Sequence, residues 1–116
     1  MLKSKFSVCP ICGNIIHTMR DNITSCCGNN LPILEAKLEN DTHTINIENI
    51  EDELYITINH PMNKEHYISF IALVTYNRCE IIKLYPEQNV EVRFFNRGNG
   101  ILYAYCNKDG LIKKNI

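Results

Sequence analysis

The chain has 116 residues, a formal net charge of -1 and 45% hydrophobic residues. That length suits one ordinary domain, or one small module attached to a β domain. The hydrophobic content excludes a disordered chain, and the lack of a basic excess or stripe argues against a nucleic-acid partner.

The opening stretch MLKSKFSVCPIC has no apolar run long enough for a signal peptide, and no later stretch approaches membrane-spanning length. A cytoplasmic, reducing compartment with no membrane partner is therefore expected. There, six cysteines favour metal binding over disulfides.

Four of those cysteines fall within the first 27 residues, in CPICGN and SCCGN. Cys9 and Cys12 have the spacing that lets two thiolates reach one ion, and Gly13 removes side-chain bulk from the tight turn. Cys26 and Cys27 form a second pair, followed by Gly28. Four soft sulfur ligands suit tetrahedral zinc or iron, and spacing alone does not choose between them. A structural zinc knuckle is the plainer reading, although adjacent cysteines are unusual for a zinc ribbon. So small a module has little core, so its metal is expected to supply much of its stability.

LPILEAKLEND lacks periodicity and reads as a connector. Composition shifts near residues 34–40, which divides the chain into a module at 1–36 and a β domain at 37–116. In the second part Leu54, Ile56 and Ile58 alternate with Tyr55 and Thr57, as in a strand with one buried face. HYISFIALVTY is almost wholly apolar, as expected of a central strand. CEIIKLY, VEVRFF and ILYAYC follow, separated by YNR, PEQN and NRGNG. Turns at such regular spacing predict an antiparallel sandwich or barrel, with no helix.

His60 follows the alternating strand, and Pro61 stops that strand from continuing its ladder. His66 opens the long apolar strand, so a loop over 61–65 places both imidazoles at one end of the sheet. His43 opens the β part and Cys106 closes ILYAYC, so all four side chains have a place at one rim. Taken singly, each histidine reads as a polar loop residue and Cys106 as a small buried hydrophobe. Cys79, Tyr67, Tyr103 and Tyr105 read as packing residues, and Cys79 has no partner in either cysteine group.

CPICGN with SCCGN resembles the desulforedoxin type of rubredoxin-like module. HPMNKEHYISFIAL with YCNKDG resembles the iron-site segments of desulfoferrodoxins, the two-domain superoxide reductases. The resemblance covers nearly the whole chain in the right order. It implies a mainly β protein, a rubredoxin-like knuckle followed by an immunoglobulin-like antiparallel β-sandwich. It further implies two irons per chain, one held by Cys9, Cys12, Cys26 and Cys27, where zinc remains an alternative. The other is a non-haem ferrous centre matched by His43, His60, His66 and an axial Cys106 thiolate, with an open position for superoxide. His17 matches no family ligand and reads as a surface residue.

Two departures stand out. The family's fourth histidine, three residues after the axial cysteine, is here Asp109. Asp109 can ligate through oxygen, leave the position to water, or simply begin the turn before Gly110. An aspartate ligand would lower both the centre's positive charge and its reduction potential. The family's Glu-Lys pair before the first histidine is here Asp41 and Thr42. Lys64 is the candidate catalytic cation in its place, a solvated loop lysine being the plainer reading.

The expected activity is one-electron reduction of superoxide to hydrogen peroxide in oxidative-stress defence. A small electron donor such as a rubredoxin and a homodimeric state go with it. The alternative is a non-catalytic iron-binding or electron-transfer protein whose second site has degenerated.

Overall fold

In the computed structural model Leu54, Ile56 and Ile58 are buried while Tyr55 and Thr57 are half-buried, as the period-two pattern predicts. The structure describes residues 4–19, 24–38, 44–75 and 77–116. Among these there are twelve strands and no helix. They are β1 (Lys5–Val8), β2 (Ile15–Thr18), β3 (Thr24–Cys26), β4 (Asn29–Leu31), β5 (Lys37–Leu38) and β6 (Ile45–Ile50). β7 (Glu53–Ile58), β8 (Ile68–Thr75), β9 (Arg78–Lys83), β10 (Glu91–Phe95), β11 (Ile101–Cys106) and β12 (Gly110–Asn115) follow.

A three-stranded sheet in the order β10-β7-β6 faces a five-stranded sheet in the order β5-β12-β11-β8-β9. β1 with β2 and β3 with β4 make two separate hairpins. The pairings are antiparallel except for the short β5, which lies parallel to β12. The connector reading holds for residues 32–36, whereas Leu31 belongs to β4 and residues 37–38 join the large sheet.

Two hydrophobic clusters explain why all eight residues of β8 are buried. Ile71 and Leu73 point inward, to Ile45, Leu54, Ile56, Val92, Phe94, Leu102 and Ala104. Phe70, Ala72 and Val74 point to the outer face, which they share with Tyr103 and Leu111 and where Phe6 packs against them. A strand covered on both faces reads as continuously apolar rather than alternating. Phe6 is the key roof residue. It is 1% exposed, and its ring lies 5.4 Å from that of Phe70 and 5.1 Å from that of Tyr103. The first hairpin thus packs on the sandwich, tied further by the bond from the Leu34 N–H to the Phe6 carbonyl.

His17 half-covers Phe6 with its ring at 5.3 Å and hydrogen-bonds the Ser4 hydroxyl. Burial holds its pKa below the ordinary histidine value. Cys79 is half-buried in β9, and burial pushes its thiol up to about 11.

Candidate metal centres

β1 ends next to Cys9, whose N–H bonds the Asn14 carbonyl while its own carbonyl accepts from the Gly13 N–H. Gly13 adopts φ 74, a left-handed conformation that glycine takes without penalty. Across from this turn β3 delivers Cys26. Cys27 is itself left-handed, at φ 53, and this turns its sulfur to within 3.9 Å of that of Cys26. For a residue other than glycine that backbone costs roughly 1–3 kcal/mol, a cost met where surrounding structure demands it.

The four sulfurs lie within 4.8 Å of one another. Cys12 and Cys26 are 3.5 Å apart, and every cysteine is unbridged. Sulfurs arranged tetrahedrally at about 2.3 Å from a metal are separated by about 3.8 Å. The group therefore fits a metal and not a disulfide, whose sulfurs sit about 2 Å apart. The Cys12 backbone N–H pulls the Cys9 thiol down to about 6, already thiolate at neutral pH. Side-chain hydrogen bonds to Cys12 and then Cys9 push the Cys27 thiol up to about 12, so a bound cation would be what holds it as a thiolate.

At the rim of the sandwich a second group comprises His60, His66, Cys106 and Asp109, again with donor atoms within 4.8 Å. His66 Nε2 is 3.1 Å from Cys106 Sγ and 3.2 Å from Asp109 Oδ2. Cys106 Sγ and Asp109 Oδ2 are 3.5 Å apart, and the Asp109 N–H points at the sulfur at 3.4 Å. The His60 and His66 rings meet edge to face at 4.6 Å. His60 Nδ1 donates to the Pro61 carbonyl at 2.6 Å, which puts the ring's lone pair on Nε2, the nitrogen suited to ligation.

A β-bulge sets this geometry. Tyr105 pairs with Phe70 but Cys106 pairs with Ile68, so Ser69 is an extra residue in β8. Without it, strand parity would send Ile68 to the opposite face from Cys106. With it, Ile68 joins Cys106 in the inner cluster, and the chain enters β8 from the end at which Cys106 lies. Lys83 caps the bulge, donating to the Ser69 carbonyl and hydroxyl at 3.1 and 3.2 Å.

Cys106 is fully buried, and burial raises its thiol pKa, partly offset by the N–H groups of Lys108 and Asp109. A buried sulfur among two imidazoles and a carboxylate is a donor set suited to a transition metal. His43, and with it Asp41 and Thr42, lies outside the described residues. Lys64 is exposed in the loop between His60 and His66. Two residues that sequence reasoning passed over, Asn63 and Asn107, bind the backbone on either side of His66. Their signal lay in NKEH and CN, where one asparagine stands three residues before His66 and the other directly after Cys106.

The fold is that of the superoxide reductase from Treponema pallidum, matched with a TM-score of 0.83 at 20% identity over 97% of this chain and 98% of that one. The Desulfoferrodoxin family profile matches residues 29–115, and the chain belongs to that family. The profile begins just after Cys27, so the knuckle cysteines lie outside it. A desulfoferrodoxin of Clostridium acetobutylicum is 42% identical over 52% of this chain, an alignment spanning 48% of that protein's length. A desulfoferrodoxin homologue of Archaeoglobus fulgidus is 28% identical over 89% of this chain and 90% of its own. No helix among the described residues is long and apolar enough to cross a membrane.

Proposed function

We propose that this chain is a superoxide reductase whose working site is the rim group. The observation that carries this reading is the convergence of His60, His66, Cys106 and Asp109 within 4.8 Å, in a chain of the desulfoferrodoxin family. His60, His66 and Cys106 are the proposed ligands, with His43 joining them and Asp109 in the position of the family's remaining histidine. These residues would hold iron(II), whose chemistry when bound would be to give the one electron that, with two protons from water, takes superoxide to hydrogen peroxide. The four cysteines of the knuckle would hold a second iron, suited to relaying electrons from a small donor such as a rubredoxin.

The protein's own contribution is electrostatic and geometric. Cys106 is desolvated by the inner cluster, so its negative charge is concentrated on the metal side rather than spread into water. Cys106 ends β11, and His60, His66 and Asp109 each lie within two residues of a strand end, which limits reorganisation during electron transfer. Lys64 stands exposed between the two histidines, where a positive charge draws a small anion toward the rim. The Asp109 carboxylate opposes that attraction. A cytoplasmic homodimer completes the proposal.

Stopped-flow mixing of the reduced, iron-loaded protein with superoxide tests it. Rapid stoichiometric oxidation of the rim iron, abolished in Cys106→Ala, is the expected result. Loss of superoxide no faster than its spontaneous dismutation overturns the reading. It would leave the alternative, a non-catalytic iron protein with a degenerate second site.

A further inference from the structure

All six backbone hydrogen-bonding groups of the tripeptide Glu65, His66 and Tyr67 are taken up by two asparagines. Asn63 Oδ1 accepts from the N–H of Glu65 at 3.1 Å and of His66 at 2.8 Å. The Asn63 N–H donates to the His66 carbonyl at 3.1 Å. Asn107 Oδ1 accepts from the Tyr67 N–H at 2.9 Å, and Nδ2 donates to the Glu65 carbonyl at 3.0 Å. The Asn107 N–H donates to the Tyr67 carbonyl at 3.1 Å.

We propose that Asn63 and Asn107 are the positioning residues of the rim site, clamping the peptide that carries His66 against the strand end that carries Cys106. The proposal rests on the reading of that rim as a metal centre. Asn107 is the residue next to Cys106, so its three bonds fix one ligand relative to another across 40 positions of sequence. The segment needs such a clamp because it lies outside the ladder: β8 begins only at Ile68, and Asn63, Lys64 and Glu65 are exposed. Left to water, those six groups would let the His66 backbone adopt many positions, and 3.1 Å between Nε2 and Sγ would not persist.

The two asparagines use different chemistry, which gives the test its discrimination. The Asn63 side chain acts only as an acceptor, so aspartate can replace it. Asn107 uses both ends of its carboxamide, so aspartate loses the donor to Glu65.

Cobalt(II) is the probe, added to protein whose knuckle is already loaded with zinc and followed by cysteine-to-cobalt charge-transfer absorption. The wild-type chain is expected to bind at the rim, and Cys106→Ala to lose the band. Asn63→Ala and Asn107→Ala should weaken binding roughly 10–100-fold and shift the band, the range typical of lost outer-shell support. Asn63→Asp should bind at least as tightly as wild type, whereas Asn107→Asp should weaken. An unchanged melting transition would show that the effect is local.

Wild-type affinity and an unshifted band in both alanine variants overturn the positioning role, as does Asn63→Asp falling as far as Asn63→Ala. If Asn107→Ala does not fold, the Asn63 pair, on an exposed loop, decides the matter alone. A wild-type chain that takes up cobalt without a thiolate band sinks the metal reading itself, and the clamp with it.

Discussion

In the knuckle, Cys9, Cys12 and Cys27 sit at turns and Cys26 ends β3, and the buried side chains among the described residues of this region are few: Phe6, Ser7, Cys9 and Leu31. At the rim, the donors sit at or near the ends of strands rooted in the larger hydrophobic cluster, with Cys106 itself a member. The first region is expected to depend on an ion for its structure, whereas the second is built on strand packing that stands without one. The lesson is that equal donor crowding does not mean equal dependence on the ion.

The largest expected effect breaks the comparison directly. Removing metal from the knuckle, by chelation or by Cys26→Ser, should unfold β1 to β4 while β6 to β12 persist. Structural zinc in small cysteine modules contributes on the order of 10 kcal/mol, far above what four buried side chains supply. Amide exchange reads the outcome: protection lost in β1 to β4 and retained in β7, β8 and β11. Protection retained in both halves would mean the knuckle folds without its ion.

Next in size is Phe6→Ala, expected to destabilise by about 3–5 kcal/mol because Phe6 fills the space above Phe70 and Tyr103. Denaturant unfolding checks it, and a loss below about 1 kcal/mol would show that the hairpin merely rests on the sheet.

A smaller effect sharpens the rim side. Asp109→His removes a negative charge beside the proposed open position. The rate with superoxide should rise severalfold at low salt, and salt should slow it more steeply than in wild type. Stopped-flow rates at two ionic strengths decide this, and an unchanged rate would place the Asp109 carboxylate away from the metal.

The smallest effect concerns Cys79, which neither group uses. Its folded thiol titrates at about 11 against an ordinary value of 9.0. The folded state therefore holds the proton more tightly, and the stability this gives is full below pH 9 and lost as pH rises toward 11. Wild-type stability should fall faster over that interval than that of Cys79→Ala, measured by urea unfolding at the two ends of that range. Parallel curves would refute the assignment.

Strands with one clean periodicity were legible from sequence alone. β7 alternates, β8 is continuously apolar, and both patterns follow from the faces they present. β12 was not, because GLIKKN spends two positions on lysines, one of which, Lys114, reaches the Ile45 carbonyl at 3.1 Å. β1 to β5 are four residues or shorter, too brief for any period to register. At the rim, the meeting of His60, His66 and Cys106 could be expected from where strands stop. The bulge at Ser69 could not, since one polar residue within an apolar run does not by itself mark an extra position. The Asn107 half of the clamp depends on pairing segments 40 positions apart, which local pattern does not encode, whereas the Asn63 half is a local turn.

The covering of the sheet's outer face has a practical corollary for anyone trimming this chain. Deleting the first 36 residues would uncover Phe70, Ala72, Val74, Tyr103 and Leu111 as one continuous greasy patch. A shortened version carrying only the sandwich would be expected to clump during purification, unless polar side chains were first written into that surface.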